Sequence, residues 1–102
     1  MEKYLEEVQN REEFEREREH WLDDLGSSAT LKKSAISTLK ILERYRYTYQ
    51  WNWLGVPIIK MPEEVMLIQQ AIYQYRPTAV IEIGVGRGGG IALYHSLQVL
   101  CG

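Results

Sequence analysis

The chain has 102 residues, of which 45% are hydrophobic and 11% aromatic, a composition typical of a folded globular protein and not of a disordered one. It contains no apolar run of the roughly 18 residues that a membrane span needs, and its acidic N-terminus does not resemble a secretory signal, so we expect a cytoplasmic protein. The single cysteine, Cys101, excludes an internal disulfide, and no Cys/His set suggests a metal site.

The net charge of −2 is unevenly distributed along the chain. Residues 1–24 contain ten acids and four bases, whereas residues 25–102 contain four acids and eight bases. An acidic N-terminal arm argues against a nucleic-acid surface there and suits docking on a basic body, although a solvated helical face explains the same pattern.

The N-terminal region, residues 1–44, is predicted to be helical. A first helix is indicated from Lys3 to Leu25 by opposite charges spaced four apart, as in Glu7/Arg11 and Glu12/Arg16. Gly26-Ser27-Ser28 is expected to end it, because glycine suits a helix C-terminus and serine the following N-cap. A second helix is predicted from Thr30 to about Arg44.

An aromatic segment follows, in which every second residue carries a ring. If the segment is extended, the rings share one face; a helical continuation also fits part of the spacing. These rings either cover a hydrophobic face or form a flat platform for a substrate, with Tyr49, Trp51 and Trp53 as the candidate platform residues. The alternating residues are Tyr45, Tyr47, Tyr49, Trp51 and Trp53.

The remaining elements alternate between turns, helices and one strand. Leu54-Gly55-Val56-Pro57 predicts a turn, and a third helix is predicted to begin at Pro62 and to end at Arg76-Pro77, with a core stripe of Val65, Ile68 and Ile72. The apolar segment Thr78–Ile83 predicts a strand buried on both faces, and Gly89–Leu100 predicts a fourth helix.

The glycine-rich turn between that strand and helix matches two nucleotide-cofactor patterns. Gly84-x-Gly86-x-x-Gly89 fits the dinucleotide fingerprint, and Glu82-x-Gly84-x-Gly86-x-Gly88 fits the first motif of S-adenosylmethionine-dependent methyltransferases. The acid favours the second pattern, because a carboxylate at this place suits the cationic amino group of a methionine moiety. A purely structural interpretation, in which the glycines only permit tight packing of strand and helix, stays open.

The segment before the turn makes the resemblance more specific. The run Tyr47–Pro62, followed by Gln69-Gln70-Ala71-Ile72, Arg76-Pro77 and Ile81–Gly89, resembles the N-terminal part of the cephalosporin hydroxylase and rhamnosyl O-methyltransferase family. The resemblance covers about Tyr45 to Leu100. It departs from the family at Gly90, where serine is common.

The resemblance implies a class I methyltransferase fold with S-adenosylmethionine as cofactor. It places the methionine end of the cofactor against Glu82, Gly84, Gly86, Arg87, Gly88 and Gly89. The family's ribose-binding acid, metal ligands and base lie further along its sequence, so a divalent metal such as Mg²⁺ is implied only for a full-length protein. We expect no catalytic residue in this chain, since His20, His95 and Ser96 have no partners at suitable spacing.

The predicted fold class is therefore α/β: a helical N-terminal region, residues 1–44, followed in residues 45–102 by the aromatic segment, a helix and the first βα unit of a truncated Rossmann-like domain. The strand needs partners from the aromatic segment, from another copy or from a missing C-terminal part. The expected function is that of an N-terminal fragment of an O-methyltransferase, inactive alone, whose parent methylates a hydroxyl of a sugar or secondary metabolite. The alternatives are a noncatalytic helical interaction or oligomerisation module with a vestigial cofactor turn and, third, a fragment of a dinucleotide oxidoreductase.

Overall fold

The computed structural model describes all residues, 1–102, and divides them into two compact units, residues 1–40 and 41–102. Four helices, α1 (Glu2–Ser27), α2 (Ala29–Glu43), α3 (Pro62–Tyr75) and α4 (Gly89–Cys101), account for most of the chain. Two short strands, β1 (Trp51–Trp53) and β2 (Val56–Ile58), form its only sheet. None of the helices has both the length and the apolar character that crossing a bilayer requires.

The first unit consists of α1 and most of α2, and neither helix buries a side chain. On α1, Arg18 forms an ion pair with Glu15 at 3.0 Å, and Nε2 of His20 lies 3.4 Å from Oδ2 of Asp24. The pairs predicted from the four-residue spacing do not form. Since all these side chains are exposed, such pairs contribute little to stability.

The non-helical segment between α1 and α2 is shorter than predicted. Gly26 and Ser27 still belong to α1, and Ser28 alone separates the helices with an extended backbone. Its Oγ accepts a hydrogen bond from the backbone N–H of Leu31, at 3.2 Å. Serine therefore caps α2 as expected, while glycine does not end α1.

The aromatic segment is neither one strand nor one helix. Residues Tyr47–Tyr49 form a 3-10 turn, held by the Glu43 carboxylate, which accepts hydrogen bonds from the N–H and hydroxyl groups of Thr48. Trp51–Trp53 is extended and pairs antiparallel with Val56–Ile58. Trp51 lies opposite Ile58, and Trp53 lies opposite Val56, so these side chains share one face of the hairpin, and α4 contacts both strands.

The hairpin turn contains a strained residue. Leu54 and Gly55 connect the strands, and both have positive φ, 47° and 83°, as a two-residue type I′ turn demands. Glycine adopts this conformation freely, whereas in leucine it costs about 1–2 kcal/mol. The Leu54 side chain is 81% exposed, so it recovers little of that cost through burial.

We expect Leu54→Asn to stabilise residues 41–102 by about 1 kcal/mol, because asparagine tolerates the left-handed region and is preferred before glycine in this turn. Chemical denaturation followed by tryptophan fluorescence measures the change. Leu54→Ala is the matched control, since it shortens the same exposed side chain but keeps the strain of a residue with an ordinary Cβ. Equal stabilities of the asparagine and alanine variants would contradict the prediction.

The core of the second unit lies where α3, α4 and the hairpin meet. Pro62 begins α3, and the Glu64 carboxylate accepts a hydrogen bond from the Met61 N–H at 2.8 Å, which caps the helix. The helix α3 ends at Arg76, directly before Pro77, as predicted, although Arg76 adopts a left-handed backbone and not the extended one that usually precedes proline. The core stripe of α3 is also confirmed, since Ile72 is buried and Val65 and Ile68 pack against the core. Four side chains are buried: Ile58, Ile72, Leu93 and Leu97.

The predicted strand Thr78–Ile83 is wrong. No strand forms there, and the aromatic segment, one of its expected partners, pairs with β2 instead. Exposure alternates along the segment: Ile81 and Ile83 are 87% and 96% exposed, whereas Val80 and Glu82 are partly buried. The apolar composition anticipated a strand, but a strand also needs a neighbouring strand to satisfy its N–H and C=O groups, and this chain supplies none. The structure is consistent with part of an α/β fold and contains no parallel sheet.

Candidate functional site

The glycine turn adopts a conformation that requires glycine. Gly84, Gly86 and Gly88 all have positive φ, 84°, 58° and 91°. The N–H of Gly88 donates to the carbonyl of Val85 at 3.1 Å and closes the turn immediately before α4. A side chain at any of the three glycines would be strained, so the spacing identified in the sequence corresponds to a real backbone requirement.

The two following glycines serve close packing. A Cβ on Gly89 would lie 2.3 Å from the carbonyl oxygen of Pro57, and a Cβ on Gly90 would lie 2.2 Å from Oε1 of Glu82. The first turn of α4 is therefore in contact with β2 on one side and with the Glu82 carboxylate on the other. The absence of a side chain at Gly90 leaves the space that this carboxylate fills.

Glu82 is a mostly buried carboxylate, with its side chain 13% exposed. Its Oε2 is fully buried and has no hydrogen-bond partner. Its Oε1 lies 4.0 Å from Nζ of Lys60, which is beyond hydrogen-bonding distance. Most buried polar atoms are hydrogen-bonded, so an unsatisfied carboxylate oxygen is expected to serve a ligand or a function.

A cleft of about 200 Å³ brings Glu82 and the glycines together with the residues that follow β2. Of the predicted site residues, Glu82, Gly84, Gly86 and Gly89 line it; Arg87 and Gly88 do not, and Arg87 is exposed. The lining residues that were not among the predicted site residues are Pro57, Ile58, Ile59, Lys60, Val85 and Gly90. In the sequence, Lys60 differs from its neighbours only in being the sole lysine after Lys40.

Two other clefts border this part of the chain. One, of about 330 Å³, also includes Glu82 and is lined by α4 residues including His95. Another, of about 420 Å³, lies at the C-terminal ends of α3 and α4, beside Arg76 and Cys101. The second contains none of the glycine turn and no acid, so it does not share the chemistry of the Glu82 cleft.

The three candidate platform residues occupy different environments. The indole N–H of Trp53 donates to Oγ of Ser96 at 2.8 Å, and its ring packs against the core. Trp51 meets the ring of Tyr47 edge-on, with centroids 5.7 Å apart, and Tyr49 lies in the 3-10 turn beneath the guanidinium of Arg46. The structure thus uses Trp53 for packing, while a role in substrate binding stays a prediction for these rings.

The structure thus places an acid two residues before a glycine turn that opens a helix, the arrangement on which the family resemblance in the sequence rests. The chain belongs to the family described as Rhamnosyl O-methyltransferase/CmcI, whose model matches residues 45–101. This match confirms the family resemblance found in the sequence. No curated protein and no solved structure shows significant similarity to the chain.

Proposed function

We propose that residues 41–102 form the part of an S-adenosylmethionine-dependent O-methyltransferase that holds the methionine end of the cofactor. The observation that carries the proposal is the buried, unpartnered Oε2 of Glu82 beside the glycine turn. An ammonium group is the natural partner for such an oxygen, because a charge-assisted hydrogen bond compensates the desolvation of a buried carboxylate.

The other lining residues fit the same ligand. With no side chains on Gly84 and Gly86, a bound molecule can approach the backbone closely. When bound, S-adenosylmethionine supplies a methyl group on a sulfonium, which is reactive toward an oxygen nucleophile. In the proposed overall reaction, the oxygen of a hydroxyl on a sugar or secondary metabolite forms a bond to the methyl carbon as the bond from sulfur to that carbon breaks. S-adenosylhomocysteine is left, and the hydroxyl proton passes to a base of the completed protein or to water.

The proposed role of this chain is cofactor binding without turnover of its own. The segment that carries Glu82 exposes Ile81 and Ile83 and leaves its backbone unpaired, so additional strands are needed to complete the fold around the site. We propose that these strands come from further sequence of the parent protein or from a second copy of the chain. The divalent metal, such as Mg²⁺, that the resemblance implies for a full-length protein would need ligands from outside these residues, which contain no cluster of acids, histidines or cysteines able to hold one.

We expect the purified chain to bind S-adenosylmethionine in a calorimetric titration, and Glu82→Gln to weaken this binding by about tenfold or more, as expected for loss of a charge-assisted hydrogen bond. Glutamine keeps the shape of the side chain and removes its charge. Glu63→Gln is the matched control, because Glu63 is exposed on α3 and lies outside the cleft. Thermal melts of both variants establish that each is folded.

The titration also separates the alternatives. Binding of NAD in place of S-adenosylmethionine would favour a dinucleotide oxidoreductase, and unchanged S-adenosylmethionine binding by the Glu82→Gln variant would contradict the assigned role. The interaction-module alternative is favoured by one observation, that α1 exposes Phe14, Trp21, Leu22 and Leu25. Absence of cofactor binding together with a stable oligomer in light scattering would support that module.

A further inference from the structure

Lys60 is positioned as a second charged group of the Glu82 cleft. It lies between β2 and α3, two elements packed on the same core, and its side chain is only 22% exposed. Its ammonium group makes no hydrogen bond within the protein, and the nearest acidic oxygen is Oε1 of Glu82 at 4.0 Å. A largely buried cation therefore faces the cleft with its hydrogen-bonding capacity unused.

The geometry is poor for a purely structural ion pair. Charge-assisted hydrogen bonds between an ammonium and a carboxylate are about 2.7–2.9 Å long, and a partly buried pair offsets its desolvation cost only when such bonds form. Lys60 and Glu82 are separated by more than this, and Oε2 of Glu82 has no partner either. Both charges thus have unmet hydrogen-bonding needs at the same cleft.

A ligand that carries an ammonium and a carboxylate on one carbon complements both groups at once. We propose that Lys60 binds the α-carboxylate of the cofactor's methionine moiety while Glu82 binds its α-ammonium, so that the pair recognises a zwitterionic amino-acid group. The inference rests on the proposed function and extends it, because it assigns a second binding residue and a reason for selectivity. The two residues lie on opposite sides of α3 in the sequence, yet both line one cleft.

The experiment compares S-adenosylmethionine with its decarboxylated analogue, which keeps the amine and the sulfonium but lacks the carboxylate. We expect the unmodified chain to bind S-adenosylmethionine about tenfold or more tightly than the analogue, and Lys60→Met to abolish this preference by weakening only the former. Lys60→Arg should retain most of the preference, since it keeps the positive charge. Glu82→Gln should weaken both ligands, because both contain the amine. Lys33→Met, on the exposed surface of α2, is the matched control.

The outcomes distinguish this inference from the function on which it rests. If Lys60→Met weakens both ligands equally, or neither, the inference is wrong, while loss of binding in Glu82→Gln still supports the proposed function. If the unmodified chain binds neither ligand, the proposed function is itself overturned, and this inference with it. The comparison of the two ligands on the unmodified chain does not depend on the folding of any variant, and equal affinities there would also overturn the role of Lys60.

Discussion

Gly89→Ala is expected to destabilise residues 41–102 by about 3 kcal/mol or more, which lies at the upper end of the usual cost of overpacking. An added Cβ would lie 2.3 Å from the carbonyl oxygen of Pro57 and 2.6 Å from Cα of Ile58. Both are atoms of the β2 strand, where no flexible side chain can move aside. The clash is relieved only if α4 separates from β2, which opens the core between them.

The direction of this effect is opposite to that of an ordinary helical glycine. Gly26 lies within α1, where an added Cβ meets nothing within 4 Å, so Gly26→Ala is expected to stabilise its helix by about 1 kcal/mol. Guanidinium denaturation measures both variants. Circular dichroism follows all four helices, and a Trp21→Phe background leaves tryptophan fluorescence to report on the hairpin alone. If Gly89→Ala is as stable as the unmodified chain, α4 does not pack on β2 as closely as described.

The helices were predictable because their signals are local. Pro62 with the acids that follow it fixes the start of α3, and the glycine turn fixes the start of α4. Each signal acts through the backbone conformation or hydrogen bonds of a few neighbouring residues. The fold of residues 41–102 could therefore be assigned element by element wherever a helix was concerned.

Strands were less predictable because their stability depends on distant partners. Thr78–Ile83 has the composition of a buried strand but no neighbour with which to pair. Conversely, the hairpin was predicted only as a turn at Leu54–Pro57 after alternating rings, since three-residue strands give little periodicity and Pro57 disfavours a strand. Pairing of Trp51 with Ile58 became visible only in the structure.

In the candidate site, too, the local motif was predictable from the sequence and the contact between distant residues was not. Glu82 and the glycines form one continuous motif, so their proximity followed from the sequence. Lys60 reaches Glu82 only because β2 and α4 pack closely at Gly89, a contact between distant parts of the chain. Without that contact, the sequence does not show that Lys60 lies beside Glu82.

Leu93→Ala is expected to destabilise residues 41–102 by about 3 kcal/mol, within the usual range for a buried leucine. Leu93 is 0% exposed and packs in one cluster with Ile58, Ile72 and Leu97. The loss combines the transfer free energy of the deleted methyl groups with the cost of the cavity that remains. A core with only four buried side chains has few neighbours that can move to fill that cavity.

Leu100→Ala is the matched control, because Leu100 lies on the same helix and is 79% exposed, so its truncation should change the stability by less than about 0.5 kcal/mol. Chemical denaturation of both variants gives the two free energies, and equal values would contradict the described core. The cavity also affects the cleft, since Ile58 packs in the Leu93 cluster and lines the Glu82 cleft next to Lys60. Leu93→Ala should therefore weaken S-adenosylmethionine binding even under conditions where the variant is mostly folded, because Ile58, which lines the cleft next to Lys60, loses a packing partner.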